Sequence, residues 1–276
     1  MCDVLGYSRQ AYYKQLRQQS EWMLKTKIII ESVKQIRTDL PKTGTVKIHK
    51  KYQNEWAEKG VKVGRDKTFD ILRENGLLQR KRRQSKPRTT MSNHWYKKYP
   101  DLIKGQTFMY ANQLWVSDIT YVMVDTKWVY LFLITDAVSH KIVGYHLSRR
   151  LDATSAVNAM KLALKNEKPG PNLVHHSDRG IQYCSNTYTN LLLKNKVQIS
   201  MTQSGSPYDN AIAERINGIL KNELIYPFGE LKSIEHAHLR VNKAVKDYNN
   251  LRLHMSIEYK TPDIEHQNCK PIKELI

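Results

Sequence analysis

Three carboxylates in this 276-residue chain, Asp118, Asp178 and Glu214, stand where an acid side chain calls for a cation. Asp118 lies inside Leu114-Trp115-Val116-Ser117-Asp118-Ile119-Thr120-Tyr121-Val122, a run apolar on both alternating faces and so patterned as a central strand. An ionised carboxylate there is costly unless a cation or hydrogen bonds compensate it. Asp178 closes the run His175-His176-Ser177-Asp178-Arg179-Gly180, a strand end of the kind where ligands approach an open sheet; taken alone it also reads as a turn residue. Glu214 falls in a helical stretch with Ile212, Ile216 and Ile219 on one side and Glu214, Asn217, Gly218 and Lys221 on the other. Taken alone it also reads as a surface ion-pair partner. Together the three suit phosphodiester chemistry. Hydrolysis and strand transfer both need an in-line nucleophile and stabilisation of a departing oxyanion, which two Mg²⁺ ions about 3.5–4 Å apart supply. Mg²⁺ takes hard oxygen ligands rather than thiolates, and Mn²⁺ is the expected substitute.

The elements that must position these acids are legible from periodicity. Residues 114–124, 128–136 and 141–147 are β-rich runs separated by turn-length gaps, which predicts an antiparallel meander. Asp152 caps a helix to about residue 166, with Ala156, Ala159, Met160 and Ala163 spaced to pack on a sheet. Pro169-Gly170-Pro171 ends it, and 172–176 reads as a fourth strand. A helix over 187–194, a short fifth strand over 197–201, a loop over 203–208 and a long helix over 209–223 follow. The order β-β-β-α-β-α-β-α is that of an RNase H-like domain, an α/β fold on a mixed five-stranded sheet. Asp136 is the nearest further acid.

The formal net charge of +19 is unevenly placed: residues 1–105 carry 25 Lys and Arg against 10 Asp and Glu. A basic arm beside a nearly balanced domain suits a polyanion held by one part and processed by the other, although a merely solvated surface gives the same count. Residues 1–79 read as short helices. Val4-Leu5-Gly6-Tyr7-Ser8 and Gln10-Ala11-Tyr12-Tyr13-Lys14 look like the turn and second helix of a helix-turn-helix. A clearer unit starts at Thr45, where Ile48, Tyr52 and Trp56 mark one helical face; Gly60 ends that helix and Gly64 precedes a second running to about Asn75. There Phe69 and Leu72 are expected to face inward and Arg65, Lys67, Thr68 and Arg73 outward, towards DNA, with Gly76 at a left-handed cap. An ordinary helical hairpin shares this pattern. Arg80-Lys81-Arg82-Arg83, with Lys86 and Arg88, follow at once and suit phosphates. The expected organisation is a helical helix-turn-helix region over 1–79, a basic linker over 80–106, and a catalytic core with a helical extension over 107–276.

Composition excludes several classes. The apolar runs are too short to span a bilayer, the first residues lack a secretory pattern, and Cys2, Cys184 and Cys269 form no zinc spacing. The expected compartment is the cytosol, with no membrane partner.

Thirty-five residues separate Asp178 from Glu214, and Lys221 follows at plus seven, a combination similar to the DDE signature of transposases and retroviral integrases. Trp115-Val116-Ser117-Asp118-Ile119-Thr120-Tyr121, His176-Ser177-Asp178-Arg179-Gly180-Ile181-Gln182-Tyr183 and Tyr208-Asp209-Asn210-Ala211-Ile212-Ala213-Glu214 resemble the second-frame (OrfB) product of IS-three family insertion sequences. So do Tyr248-Asn249-Asn250-Leu251-Arg252-Leu253-His254 with Thr261-Pro262, and the helix-turn-helix over 48–78. The resemblance covers nearly the whole chain. It implies that Asp118, Asp178 and Glu214 are catalytic metal ligands, that Lys221 lies near the DNA end, and that the protein nicks element ends and transfers the 3′-OH to DNA. Tyr208 and Asn210, close to Glu214, are expected either to contact DNA or to close the loop and cap the helix. His175 and His176 are read chiefly as satisfied strand-end residues, and they and Arg179 also as phosphate contacts. The family's partners are terminal inverted repeats and target DNA, a multimer on that DNA, and a first-frame (OrfA) protein or fusion carrying a further helix-turn-helix and a leucine zipper. The histidine-cysteine zinc module of retroviral integrases is missing here, so the resemblance implies a bacterial element and a cytoplasmic, nucleoid-associated protein.

Two other functions share part of this pattern. A transposase-derived DNA-binding regulator would bind DNA equally with and without Mg²⁺ and never cut it. An RNase H-type nuclease would cut without joining and would want an additional acid, for which Asp136 is the candidate.

Overall fold

The computed structural model describes residues 8–79, 94–203 and 211–270. The chain divides into two compact units, Met1–Arg83 and Gln84–Ile276.

In the first unit, Ser8 caps helix α1, Arg9–Asp39, by accepting from the amide of Ala11 at 3.1 Å. Short helices were expected here, yet α1 is a single helix of 31 residues. Only its later half is buried, through Ile29, Ser32, Val33 and Ile36, so its first half offers no apolar rhythm to read. The turn at Val4 to Tyr7 lies outside the described residues. Helix α2, Thr45–Glu58, buries Ile48, Tyr52 and Trp56 along one face, and Trp56 Nε1 donates to Ser32 Oγ at 3.0 Å. A turn through Gly60, at φ +74°, leads to α3, Arg65–Glu74, which ends at Gly76 in the left-handed region at φ +66°. Leu72 is buried as expected and Ile71 joins it, while Phe69 is half-buried. Thr68 was expected to face outward and is fully buried. Its hydroxyl donates to the Gly64 carbonyl at 2.9 Å and meets His49 Nδ1 at 3.2 Å, which satisfies it inside.

The second unit is an RNase H-like domain on a mixed five-stranded sheet. Strands β1, Leu114–Val124, β2, Lys127–Asp136, and β3, Ile142–Ser148, form the antiparallel meander. Asp125 and Thr126 both have positive φ, the two-residue turn that fits strand twist, and it pins the register at Asp118 opposite Leu133. Helix α4, Ala153–Glu167, capped by Asp152, crosses over to β4, Val174–Ser177. Short helices α5, Ile181–Cys184, and α6, Asn186–Lys194, lead to β5, Gln198–Met201. The spatial order is β3-β2-β1-β4-β5, with β4 parallel to both β1 and β5. The main core lies on one face, where Trp115, Phe132 and Ile134 pack against Ala156, Ala159, Met160 and Ala163 of α4 and Tyr188 and Leu192 of α6.

Helix α7, Ala211–Ile219, covers the other face, burying Ala213 against Leu114, Val116 and Val174. It was expected to run regularly to residue 223; instead it widens after Ile219 into a π-helical turn, Leu220–Ile225. Helix α8, Ile234–Asn250, and α9, Pro262–Asn268, complete the unit. Of the basic segment over 80–106, residues 80–93 lie outside the described part. From His94 onward it packs on the sheet: Leu102 N–H donates to Ser200 Oγ at 2.9 Å, and the Pro100 carbonyl accepts from Met201 at 3.2 Å. Among the described residues no helix is long and apolar enough to cross a membrane.

Candidate active site

The sheet register brings the first two acids together. β1 and β4 run parallel with Val116 beside His176; two residues on, β1 carries Asp118 and the chain just past β4 carries Asp178, whose charge acts on Asp118. Asp118 shares the face of Val116, the one covered by α7.

Asp118 is the most constrained of the three. Its Oδ1 accepts the Ile119 amide at 2.9 Å, and its Oδ2 accepts from Asn217 Nδ2 of α7 at 2.7 Å. Burial, and then the negative charge of Asp178, push its carboxyl up to about 7, with Glu214 adding in the same direction; the two hydrogen bonds pull the other way. Asp178 is raised too, first by burial and also by Glu214, while the Gly180 amide at 3.0 Å and His94 favour its charged form. Glu214 is exposed on α7 and acts on both aspartates through its charge. The three are thus electrostatically coupled. Among the described residues, no three His, Cys, Asp or Glu side chains are gathered into a single ligand shell. The donor set nonetheless fits a hard divalent cation. All its ligand atoms are carboxylate oxygens, and a cation would relieve the repulsion and desolvation that now hold Asp118 towards its neutral form.

Lys221 is half-buried. Burial lowers its ammonium, and the charge of Asp118 works against that shift. Sequence reasoning put Asn217 on this face without seeing its role; the missing information was that α7 lies over β1. His94 was missed as well. Its Nε2 lies 2.7 Å from the Arg179 carbonyl, and its charge reaches Asp178. Only the return of the segment before β1 to the sheet reveals it.

His175 and His176 are fully buried and serve the fold. His175 Nε2 meets Ser117 Oγ at 2.6 Å and Tyr188 Oη at 3.0 Å, and burial lowers the ring to about 3; His176 Nδ1 meets Ser200 Oγ at 2.8 Å. Arg179 is half-buried beside Asp178. Asp136 is committed to its own turn. It is fully buried and accepts from the Ser139 amide and hydroxyl, both at 2.8 Å, and from the Asn112 amide at 2.6 Å. In the first unit, Arg65, Lys67 and Arg73 are exposed on α3, where Arg73 pairs with Asp70 at 2.6 Å and Lys67 Nζ sits 5.0 Å from the Trp22 ring centroid. Arg80, Lys81, Arg82, Arg83, Tyr208 and Asn210 lie outside the described residues.

Two family profiles described as integrase core domain match residues 110–207 and 195–262. The insertion element IS600 uncharacterized 31 kDa protein of Shigella sonnei is 36% identical over 231 residues, 81% of each chain. The putative transposase for insertion sequence element IS986/IS6110 of Mycobacterium tuberculosis is 32% identical over 201 residues, 71% of this chain and 72% of its own. The transposase InsF for insertion sequence IS3A of Escherichia coli is 39% identical over 115 residues, 42% of this chain and 40% of its own. Among solved structures, a simian T-cell lymphotropic virus intasome shares the fold, with a TM-score of 0.52 at 16% identity over 84% of this chain and 77% of that one.

Proposed function

The chain belongs to the IS-three family of insertion-sequence transposases, DNA transposases with an integrase core, and from that premise we propose that Asp118, Asp178 and Glu214 carry its polynucleotidyl transfer. The observation that supports this most is Asp118 itself, a carboxylate on a central strand, held by Asn217 and raised to about 7 by burial and by the charge of Asp178. The three carboxylates would hold two Mg²⁺ ions, with Mn²⁺ able to substitute, and such ions supply charge stabilisation to the attacking and departing oxygens of a phosphodiester.

The protein's own groups divide the remaining work. Asn217 and the Ile119 amide orient the Asp118 carboxylate, and the Gly180 amide orients Asp178. Lys221 offers a cation to a phosphate of the DNA end. Arg65, Lys67 and Arg73, with the basic run Arg80-Lys81-Arg82-Arg83, hold the terminal inverted repeat, and Tyr208 and Asn210 flank the reacting end. The reaction is nicking at an element end, with water as nucleophile, followed by direct attack of the freed 3′-OH on a second phosphodiester of target DNA. The working form is a multimer on DNA, joined by or fused to a first-frame partner. The full commitment of Asp136 to its turn weighs against an RNase H-type nuclease, which would want that additional acid.

The test is Glu214→Gln, with strand transfer assayed on labelled terminal-repeat DNA in Mg²⁺. Joining should disappear while DNA binding persists. Undiminished joining would remove Glu214 from the site, and products that are cut but never joined by the wild type would favour the nuclease.

A further inference from the structure

The π-helical turn after α7 is held from outside. Such turns fit an extra residue into a helix, are rare, and occur disproportionately at functional sites. Leu220, Leu224 and Ile225 of this turn are buried, and the turn packs against α8. Between them, Glu223 is gripped by Arg252: Nε donates to Oε2 at 2.8 Å and Nη2 donates to Oε1 at 2.9 Å. This is the two-pronged pairing that only a guanidinium can make. Arg252 is 6% exposed, and its Nη1 donates to His254 Nε2 at 2.9 Å. The His254 ring is in contact with both His140 and Tyr248. The grip is anchored in the sheet: Tyr248 Oη donates to the His140 carbonyl at 3.0 Å, and Asn249 bonds both backbone groups of Ile142, at 3.0 and 2.9 Å.

This turn carries Lys221. Asn217, one turn earlier on α7, reaches Asp118, and the field of Asp118 reaches Lys221. A π-helical turn rotates every residue within and beyond it relative to a regular helix, so the direction of Lys221 depends on the turn that Glu223 and Arg252 hold.

We infer that Arg252, acting through Glu223, is a positioning residue for the transfer reaction: it fixes the π-helical turn and so sets Lys221 against the Asp118 side of the site. This rests on the transposase reading of that site. It assigns a task to the Tyr248-to-His254 segment that no metal ligand or DNA contact explains.

The full chain would be compared with Arg252→Lys, Lys221→Ala and the double variant. Arg252→Lys keeps the cation and loses the fork. The measurements are thermal midpoint, affinity for labelled element-end DNA, KM and kcat for joining in Mg²⁺, and the acylation rate of Lys221 read by mass spectrometry. For Arg252→Lys, midpoint, affinity and KM should stay close to the wild type, kcat should fall about tenfold to a hundredfold, and Lys221 labelling should change severalfold. In the Lys221→Ala background, Arg252→Lys should add no further loss of kcat. Additive losses, a wild-type kcat, or a kcat that merely follows the folded fraction would overturn the inference. Should Arg252→Lys fail to fold, Glu223→Gln enters the same cycle with the same expectations. A wild type that, supplied with its first-frame partner, binds ends and never joins them overturns the transposase reading instead, and the labelling comparison then decides whether Arg252 positions Lys221.

Discussion

Asn217 on α7 donates a 2.7 Å hydrogen bond to Oδ2 of Asp118 on β1, so the helix that carries Glu214 is tied directly to the most buried acid of the site. Hydrogen bonds to the ionised form of a carboxylate hold its pKa down, and this one counters burial and the charge of Asp178.

Asn217→Ala should therefore raise the Asp118 pKa further and move the acid limb of the pH–rate profile for joining to higher pH. Loss of the buried bond should cost about 1–3 kcal/mol of stability. Initial rates from pH 5.5 to 9, with denaturant unfolding of the same variant, would check both. An unmoved acid limb would mean that Asn217 does not tune Asp118.

Gly180→Ala should impair joining with little loss of stability. A Cβ there would lie 2.9 Å from Asp178 Oδ1 and 3.2 Å from Gln182 Oε1, so the carboxylate must move. Gly218→Ala is the control. Its Cβ would meet nothing within 4 Å, and alanine in a helix is worth about 0.5–1 kcal/mol over glycine. Paired melting curves and joining assays would separate the two effects.

Gly144→Ala should destabilise the second unit by about 1–3 kcal/mol, the usual cost of overpacking. The added methyl would sit 2.5 Å from the Ala159 carbonyl oxygen and 2.6 Å from Ala163 Cβ, where α4 lies against β3. Urea unfolding gives the value; an unchanged midpoint would mean that α4 can shift away at no cost.

The stability that buried, neutral His175 contributes should be lost as pH drops below about 6.5, the ordinary histidine value. Folded His175 stays neutral down to about 3, so between these values the unfolded chain binds the extra proton and is favoured. Glu167, held at about 2 beside His266 and Lys141, adds loss in the same direction below its ordinary 4.5, because only the unfolded chain takes up that proton. Asp118 opposes both. Raised to about 7, it is protonated first in the fold and gains stability on acidification. His175→Phe should remove the loss due to His175, changing the stability difference between pH 6.5 and 4 relative to the wild type by about 3 kcal/mol at most. Unfolding free energies at intervals of half a pH unit would measure it.

Much of this was legible in the sequence. β-rich runs parted by turn-length gaps marked β1 to β3 nearly to the residue, and helical spacing marked α2, α4 and the buried faces of both. The hydrophobic pattern could do this because each of these elements buries a continuous face. It was silent where burial is absent or polar: the exposed first half of α1, the inward hydroxyl of Thr68, and the π-helical turn, whose cause is an arginine 29 residues beyond Glu223. At the site, residue type and spacing picked out the acids. Asn217 and His94 were hidden because their roles depend on contacts made across the fold, 99 residues away at Asp118 and 85 away at Arg179.

The parallel pairing of β1 with β4 has a consequence in time. Asp118 sits within a hairpin that closes locally, whereas Asp178 comes beside it only when Leu114 finds Val174 across the intervening β2, β3 and α4. Such non-local pairings form late, because the loop they close must be ordered first. During synthesis on the ribosome, the hairpin bearing Asp118 can therefore exist well before the strand that brings its partner acid. A chain interrupted before β4 would hold one of the three acids and, on this reading, have no means to break DNA.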